Sequence, residues 1–255
     1  MSVDVLFQDD HLIAINKPSG LLVHRSEIDR HETRFALQLV RDHVGQRVYP
    51  VHRLDKPTSG VLMFALTPDI ASLVVEQWRQ QQVSKRYLAI VRGYMPEWTE
   101  LDKPLVPPVD KYARHERIKP AQEARTDFRC LAQVELPIAI DKYPQSRYSL
   151  VEALPHTGRK HQIRRHLKHL SHPIIGDARY GKGRHSRYFR DHFDAGRLLL
   201  HAWQLSFQHP LSAETITIEA PLDQTWQQLI ARFDWQAQLP TPQLLTPQSA
   251  THGAG

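Results

Sequence analysis

Residues 60–66, Gly60-Val61-Leu62-Met63-Phe64-Ala65-Leu66, form a run without a single polar side chain, closed by Thr67-Pro68. A short apolar run ended by turn residues reads as a strand buried inside the fold. It is also the longest apolar stretch of the chain, well short of the roughly 20 residues that span a bilayer, so no membrane segment is expected. With 41% hydrophobic residues in 255, the chain has ample material for a packed core.

The flanking segments suggest what covers this strand. Residues 3–7 alternate, Leu12-Ile13-Ala14-Ile15 is apolar, and a Lys17-Pro18-Ser19-Gly20 turn leads into Leu21-Leu22-Val23, which reads as strand, strand, turn, strand. In residues 33–44, Ala36, Leu37, Val40 and Val44 fall at helical spacing, with Gly45 placed to end the helix. A second helix has Thr67 as cap and Pro68 at its first position; Ile70, Val74 and Trp78 recur every four residues, which assigns Trp78 to the core. Further strands are expected at 87–92, 128–136, 149–154, 198–207 and 215–219, and a last helix near 224–233. Strands outnumber helices without alternating strictly with them. The expected class is therefore α+β, a central mixed, mostly antiparallel sheet with packed helices and loops. One domain is expected over residues 1–235. The remainder, 236–255, is rich in Pro, Gln, Thr and Gly and reads as a disordered tail.

A single cysteine, Cys130, excludes an internal disulfide framework, and no Cys and His spacing suggests a structural zinc site. The amino terminus has no signal-peptide pattern, so a cytoplasmic protein is expected. The formal charge is +6 with sixteen histidines counted as neutral, and Lys, Arg and His are dense at 111–119, 159–169 and 179–190. Such clusters suit a polyanion and are candidate phosphate contacts, although each alone also fits an ordinary solvated face.

Just ahead of the apolar strand lies His52-Arg53-Leu54-Asp55-Lys56-Pro57-Thr58-Ser59-Gly60. Here Asp55 has Arg53 and Lys56 within two positions, and nearby positive charge favours an ionised carboxylate. The spacing alone fits an aspartate that caps a turn as well as one that does chemistry.

This run resembles the active-site signature of RluA-type pseudouridine synthases, and the family's other segments occur in the same order. They are Lys17-Pro18-Ser19-Gly20, Lys85-Arg86-Tyr87, Thr157-Gly158-Arg159-Lys160-His161-Gln162-Ile163-Arg164-Arg165-His166, His172-Pro173-Ile174-Ile175-Gly176-Asp177 and Leu200-His201-Ala202. The likeness spans about residues 3–235. Outside the shared motifs it extends, at Leu22-Val23-His24-Arg25-Ser26 and Asp29-Arg30, to members that modify uridine 65 in the T stem of tRNA. Lys56 departs from the arginine common there, which bears on a phosphate or loop contact and not on the carboxylate.

The resemblance implies an isomerase that detaches uracil at N1 and rejoins it to the same sugar through C5. This chemistry requires no cofactor or metal; it does need a carboxylate near the sugar–base junction and a dry pocket. Asp55 is the implied catalytic carboxylate, acting at C6 of the base, at C1′, or on the 2′ proton. If residues 159–170 are helical, Ile163, Leu167 and Leu170 form one apolar stripe and Arg164 lies on its margin, about 100° from Ile163. By resemblance Arg164 pairs with Asp55. A target inside a stem must be turned out, and the resemblance implies that Tyr87 stacks on the extruded base, with Ile163 packing nearby and Arg53 stabilising the flipped-out arrangement. Arg159, Lys160, Arg165 and Lys168 are expected phosphate contacts, and His52 a satisfied loop histidine. The expected partner is tRNA, bound by a monomer without a protein partner, a membrane or a separate RNA-binding module. Two alternatives remain open, a ribosomal RNA pseudouridine synthase and a non-catalytic basic RNA-binding protein.

Overall fold

The structure, a computed structural model, describes residues 3–24, 32–108 and 119–240. The chain opens with strands β1 (Val5–Gln8) and β2 (Leu12–Lys17), then helix α1 (Ala36–Val44), the short β3 (Tyr49–Pro50) and β4 (Ser59–Ala65). After helix α2 (Pro68–Arg79) come β5 (Ser84–Arg92), β6 (Trp98–Asp102), β7 (Arg125–Leu136) and β8 (Ser146–Pro155). Helices α3 (Gln162–His169) and α4 (Gly183–Phe193), strands β9 (Leu200–Gln208) and β10 (Thr215–Glu219), and helix α5 (Gln224–Arg232) complete the set. The sheet runs β1-β2-β4-β9-β5-β8-β7-β6, with β10 also paired to β9 and β3 to β4. Every pairing is antiparallel except β4 with β9. The expected mixed, mostly antiparallel α+β architecture is what the chain forms.

The apolar run of β4 is explained by burial on both faces. Val61, Met63 and Ala65 join Ile70 and Val74 of α2 in one cluster, while Leu62 and Phe64 join Ala36 and Val40 of α1 in another. The third cluster lies under β5 and β8 and receives Ile163 and Leu167 of α3, Phe189 of α4 and Trp226 of α5.

One edge of β9 is taken by β5. On the other, β4 pairs only at Ser59 with His201 and Gly60 with Ala202, and β10 occupies Gln204 to Gln208. The sheet therefore divides at this seam into a β4 side and a β5 side. Gly60 makes the approach possible: its φ is +113°, and a Cβ there would lie 2.1 Å from the carbonyl oxygen of Ala202.

Several local expectations are corrected. Residues 21–23 form no strand; Leu22 makes a single bridge to Phe35, because the Lys17 ammonium and the Gly20 N–H gather this turn onto the Asp55 loop. Helix α1 starts at Ala36, three residues later than its spacing suggested. Trp78 packs on the α2 cluster but is only half-buried and stacks on His52, with ring centroids 5.2 Å apart. In the expected tail, Gln236–Gln238 forms a 3-10 turn. Residues 241–255, and most of the basic cluster at 111–119, lie outside the described residues. No helix among those described is long and apolar enough to cross a membrane.

Candidate active site

The Asp55 loop is held by Lys17 at the end of β2. The Lys17 side chain is fully buried, and its Nζ donates to the carbonyls of Pro18, Leu21 and Lys56 at 3.0, 2.8 and 3.1 Å. Three acceptors around one ammonium fix the turn after β2 against the loop that enters β4. Burial and Arg197 lower the Lys17 pKa to about 7, against an upward push from Asp55.

On the β5 side, α3 begins where His161 takes a left-handed conformation, φ +58°. The loop before it is tied by Gln162, whose Oε1 accepts from the Thr157 hydroxyl at 2.7 Å and the Arg159 N–H at 3.0 Å. The same side chain donates to the Arg125 carbonyl and the Thr126 hydroxyl, each at 2.9 Å. Leu167 and Ile163 face the core, and Arg164 turns inward with them.

These two segments meet at Asp55. Arg164 Nη1 donates to Asp55 Oδ2 at 2.9 Å, while its Nε and Nη2 donate to Asp177 at 2.8 and 2.9 Å. Side-chain exposure grades from 0% at Asp177 through 7% at Arg164 to 21% at Asp55, so only the last carboxylate reaches solvent. Burial alone would raise the Asp177 carboxyl, but Arg164 and the N–H groups of Tyr180 and Arg179 outweigh it and hold it below the usual range. The second Asp55 oxygen, Oδ1, lies 3.7 Å from His161 Nε2. Burial lowers the His161 pKa to about 4 against the pull of Asp55, with Arg164 also opposing protonation. The ionic partner of Asp55 is thus Arg164 and not its sequence neighbours: Arg53 is exposed, and Lys56 pairs with Glu32 at 3.0 Å.

Asp55 opens into a cleft of about 320 Å³. Its lining includes Arg53, Tyr87, Arg159, Lys160, Ile163 and Arg164, so seven of the eight expected site residues, counting Asp55, converge here. Arg165 does not line it. Tyr87 is half-buried and packs against the clusters on both sides of the seam. Burial, with Asp55 second, pushes its phenol well above the ordinary value, so the ring stays neutral and serves as an apolar face. Arg159 and Lys160 are exposed on the rim, with Arg159 Nε donating to the Glu123 carbonyl at 2.8 Å. His52 is the satisfied histidine expected: its Nε2 accepts from the Met63 N–H at 3.1 Å, and burial and then Lys85 lower its pKa to about 3.

Among the described residues, no three or more His, Cys, Asp or Glu side chains group closely enough to hold a metal ion. The site offers a carboxylate clamped by an arginine, an aromatic wall and a cationic rim, which suits attack on or proton removal from a neutral heterocycle carried by a polyanion.

The RNA pseudouridylate synthase family model matches residues 11–169. The chain belongs to that family. It is 53% identical over 237 residues to tRNA pseudouridine synthase C of Pasteurella multocida, covering 92% of this chain and 98% of the relative. The enzyme of the same name from Vibrio cholerae is 51% identical over 93% of this chain and 98% of its own length. Among solved structures, human RNA pseudouridylate synthase domain containing 4 superposes with a TM-score of 0.68 at 28% identity, covering 91% of this chain and 93% of the human one. The fold and the isomerase class implied by the motifs are thereby borne out.

Within this pseudouridylate synthase the sequence reading missed Asp177, His161, Gln162 and Lys85 as parts of the site. All four stand in segments that carried the resemblance. What singled none of them out is that a lone Asp after a glycine, or a Lys opening a strand, has no local pattern of its own.

Proposed function

We propose that this chain converts a uridine of tRNA to pseudouridine, at position 65 in the T stem, with Asp55 as the catalytic carboxylate. The observation that carries this reading is the division of labour around Arg164. Two of its nitrogens are committed to Asp177 and a third to Asp55 Oδ2, which leaves Asp55 Oδ1 outside the arginine clamp, 3.7 Å from His161 Nε2, in a residue that lines the cleft. A carboxylate so anchored keeps its direction while one oxygen remains available to the substrate.

The remaining residues take roles that fit their positions. Tyr87 and Ile163 supply faces for the extruded uracil, and Arg53 at the exposed rim supports the flipped-out strand. Arg159, Lys160 and Arg165 serve phosphates, Arg165 from outside the cleft. Choice of tRNA is supported by the names of relatives matched over almost their whole length. The reading takes residues 1–235 as one catalytic domain acting as a cytoplasmic monomer; size-exclusion chromatography and cell fractionation test that part.

The central test is tritium release from tRNA carrying [5-³H]uridine, with wild type beside Asp55→Asn, ribosomal RNA as a second substrate, and the modified position mapped. Release from tRNA by wild type alone supports the reading. Release only from ribosomal RNA replaces the substrate, and release by Asp55→Asn removes the aspartate from the chemistry. Binding without any release returns the chain to the basic RNA-binding class.

A further inference from the structure

Every route open to Asp55 places negative charge on the uracil carbonyls. When the N1–C1′ bond breaks, its electron pair stays on the base and spreads to O2 and O4. If the carboxylate first adds to C6, the displaced pair again comes to rest on O4. The ring then turns and C5 gives a pair to C1′. That carbon is either the oxocarbenium carbon left by bond cleavage, a carbon that releases its ester bond to Asp55, or a glycal carbon whose C2′ regains the proton it lost. Any adduct at C6 expels the carboxylate as the C5–C6 double bond re-forms, and the proton lost from C5 is matched by one taken up at N1. A dry site that generates this anion needs a cation or donors aimed at those oxygens.

The cations of the cleft can be sorted by what they already hold. Arg164 is shared by two carboxylates. His52 and His161 are held neutral by burial. Arg53, Arg159 and Lys160 stand on the exposed rim. Lys85 is different. It lines the cleft beside Tyr87 from the start of β5, is half-buried, and makes one long hydrogen bond, 3.4 Å, from Nζ to the Thr157 carbonyl. Among the described residues no carboxylate lies within 4 Å of its ammonium, and its hydrogen bond to Thr157 uses one of three N–H directions, so two can meet a ligand.

We infer that Lys85 is a further catalytic residue, whose ammonium donates to a carbonyl oxygen of the uracil anion while Tyr87 covers the ring face. This rests on the proposed isomerase reading. Burial lowers the Lys85 pKa to about 8, as befits a cation kept from water without an anion beside it, and an anionic substrate entering the cleft would supply the missing charge.

The experiment is single-turnover pseudouridine formation on saturating tRNA by wild type, Lys85→Met, Lys85→Gln and Lys85→Arg, with tRNA affinity measured at several salt concentrations and melting temperature for each. The neutral variants are expected to lose about 10²-fold in rate on bound tRNA, as for removal of one donor to a developing oxyanion, with affinity little changed. Lys85→Arg should recover a substantial part. Met and Gln differ in bulk and polarity, so at least one serves as a folded neutral variant by its melting curve. An unchanged rate on bound tRNA overturns the inference, and so does lost affinity with a shallower salt dependence at full rate, which would make Lys85 a phosphate contact. Inactive wild type would instead overturn the isomerase reading on which the inference stands.

Discussion

Asp177 grips Arg164 by two hydrogen bonds, 2.8 Å from Nε and 2.9 Å from Nη2, and so fixes which nitrogen the arginine presents to Asp55. Asp177 is itself fixed, since its Oδ1 also accepts from the N–H groups of Arg179 and Tyr180 at 2.9 Å each. The Asp55 carboxylate in the cleft is aimed by a residue that does not line it.

Arg164→Ala should abolish turnover and also destabilise the fold by about 3–5 kcal/mol, because it strands the buried Asp177 charge. The double variant Arg164→Met with Asp177→Asn should regain most of that stability and none of the activity. Urea unfolding and tritium release read the two effects separately; recovery of turnover in the double variant would remove Arg164 from the chemistry.

Asp177→Asn should fold, since the amide is nearly isosteric and its oxygen can still accept. It loses one charge-assisted partner of Arg164, so turnover on bound tRNA should fall by about tenfold or more while tRNA affinity holds. A full rate in a folded Asp177→Asn protein would show that Arg164 needs no such grip.

Gly60→Ala should cost about 2–6 kcal/mol, combining positive-φ strain with a clash at the Ala202 carbonyl. A denaturation midpoint equal to that of wild type would contradict the close approach of β4 to β9.

Stability should decline as the pH falls below 6.5. His185 and His201 are buried with pKa values lowered from 6.5 to about 4, in each case by burial first. Between those values the unfolded chain takes up protons that the folded chain refuses. The contribution is therefore present above pH 6.5 and lost toward pH 4, at up to about 1.4 kcal/mol per pH unit for each histidine. Unfolding free energies at pH 7.5 and 5.0 test the sign; equal stability would mean that these histidines titrate freely.

Affinity for tRNA should fall steeply with salt, and Lys160→Ala on the rim should reduce the log–log slope by about one while leaving the rate on bound RNA intact. A slope unchanged in that variant would take Lys160 off the phosphates.

Much of the fold was legible because its signals are local. Thr67 caps α2 by accepting from the Ile70 N–H, Pro68 opens that helix, and Gly45 closes α1 in the left-handed region, each as the sequence implies. Strand β6 was not legible because it is an edge strand of alternating half-buried and exposed residues with little apolar content. Helix α4 hides its buried pair, His185 and Phe189, among arginines that read as a cluster of candidate phosphate contacts or a solvated face. In the site, Asp55 and Arg164 were legible only through the motifs that carry them. Their partner Asp177 follows thirteen residues after Arg164, and its role depends on the α3 and post-α3 segments folding back together, which no local spacing encodes.

The two-residue pairing of β4 with β9 has a consequence for inheritance. Asp55 enters from one side of that seam, while its cation, the grip on that cation and the aromatic wall enter from the other. Neither side holds a reactive centre by itself. Recombination that exchanges one side between distant relatives must therefore preserve the join before it can preserve the chemistry, and the two sides of the gene have reason to travel as one.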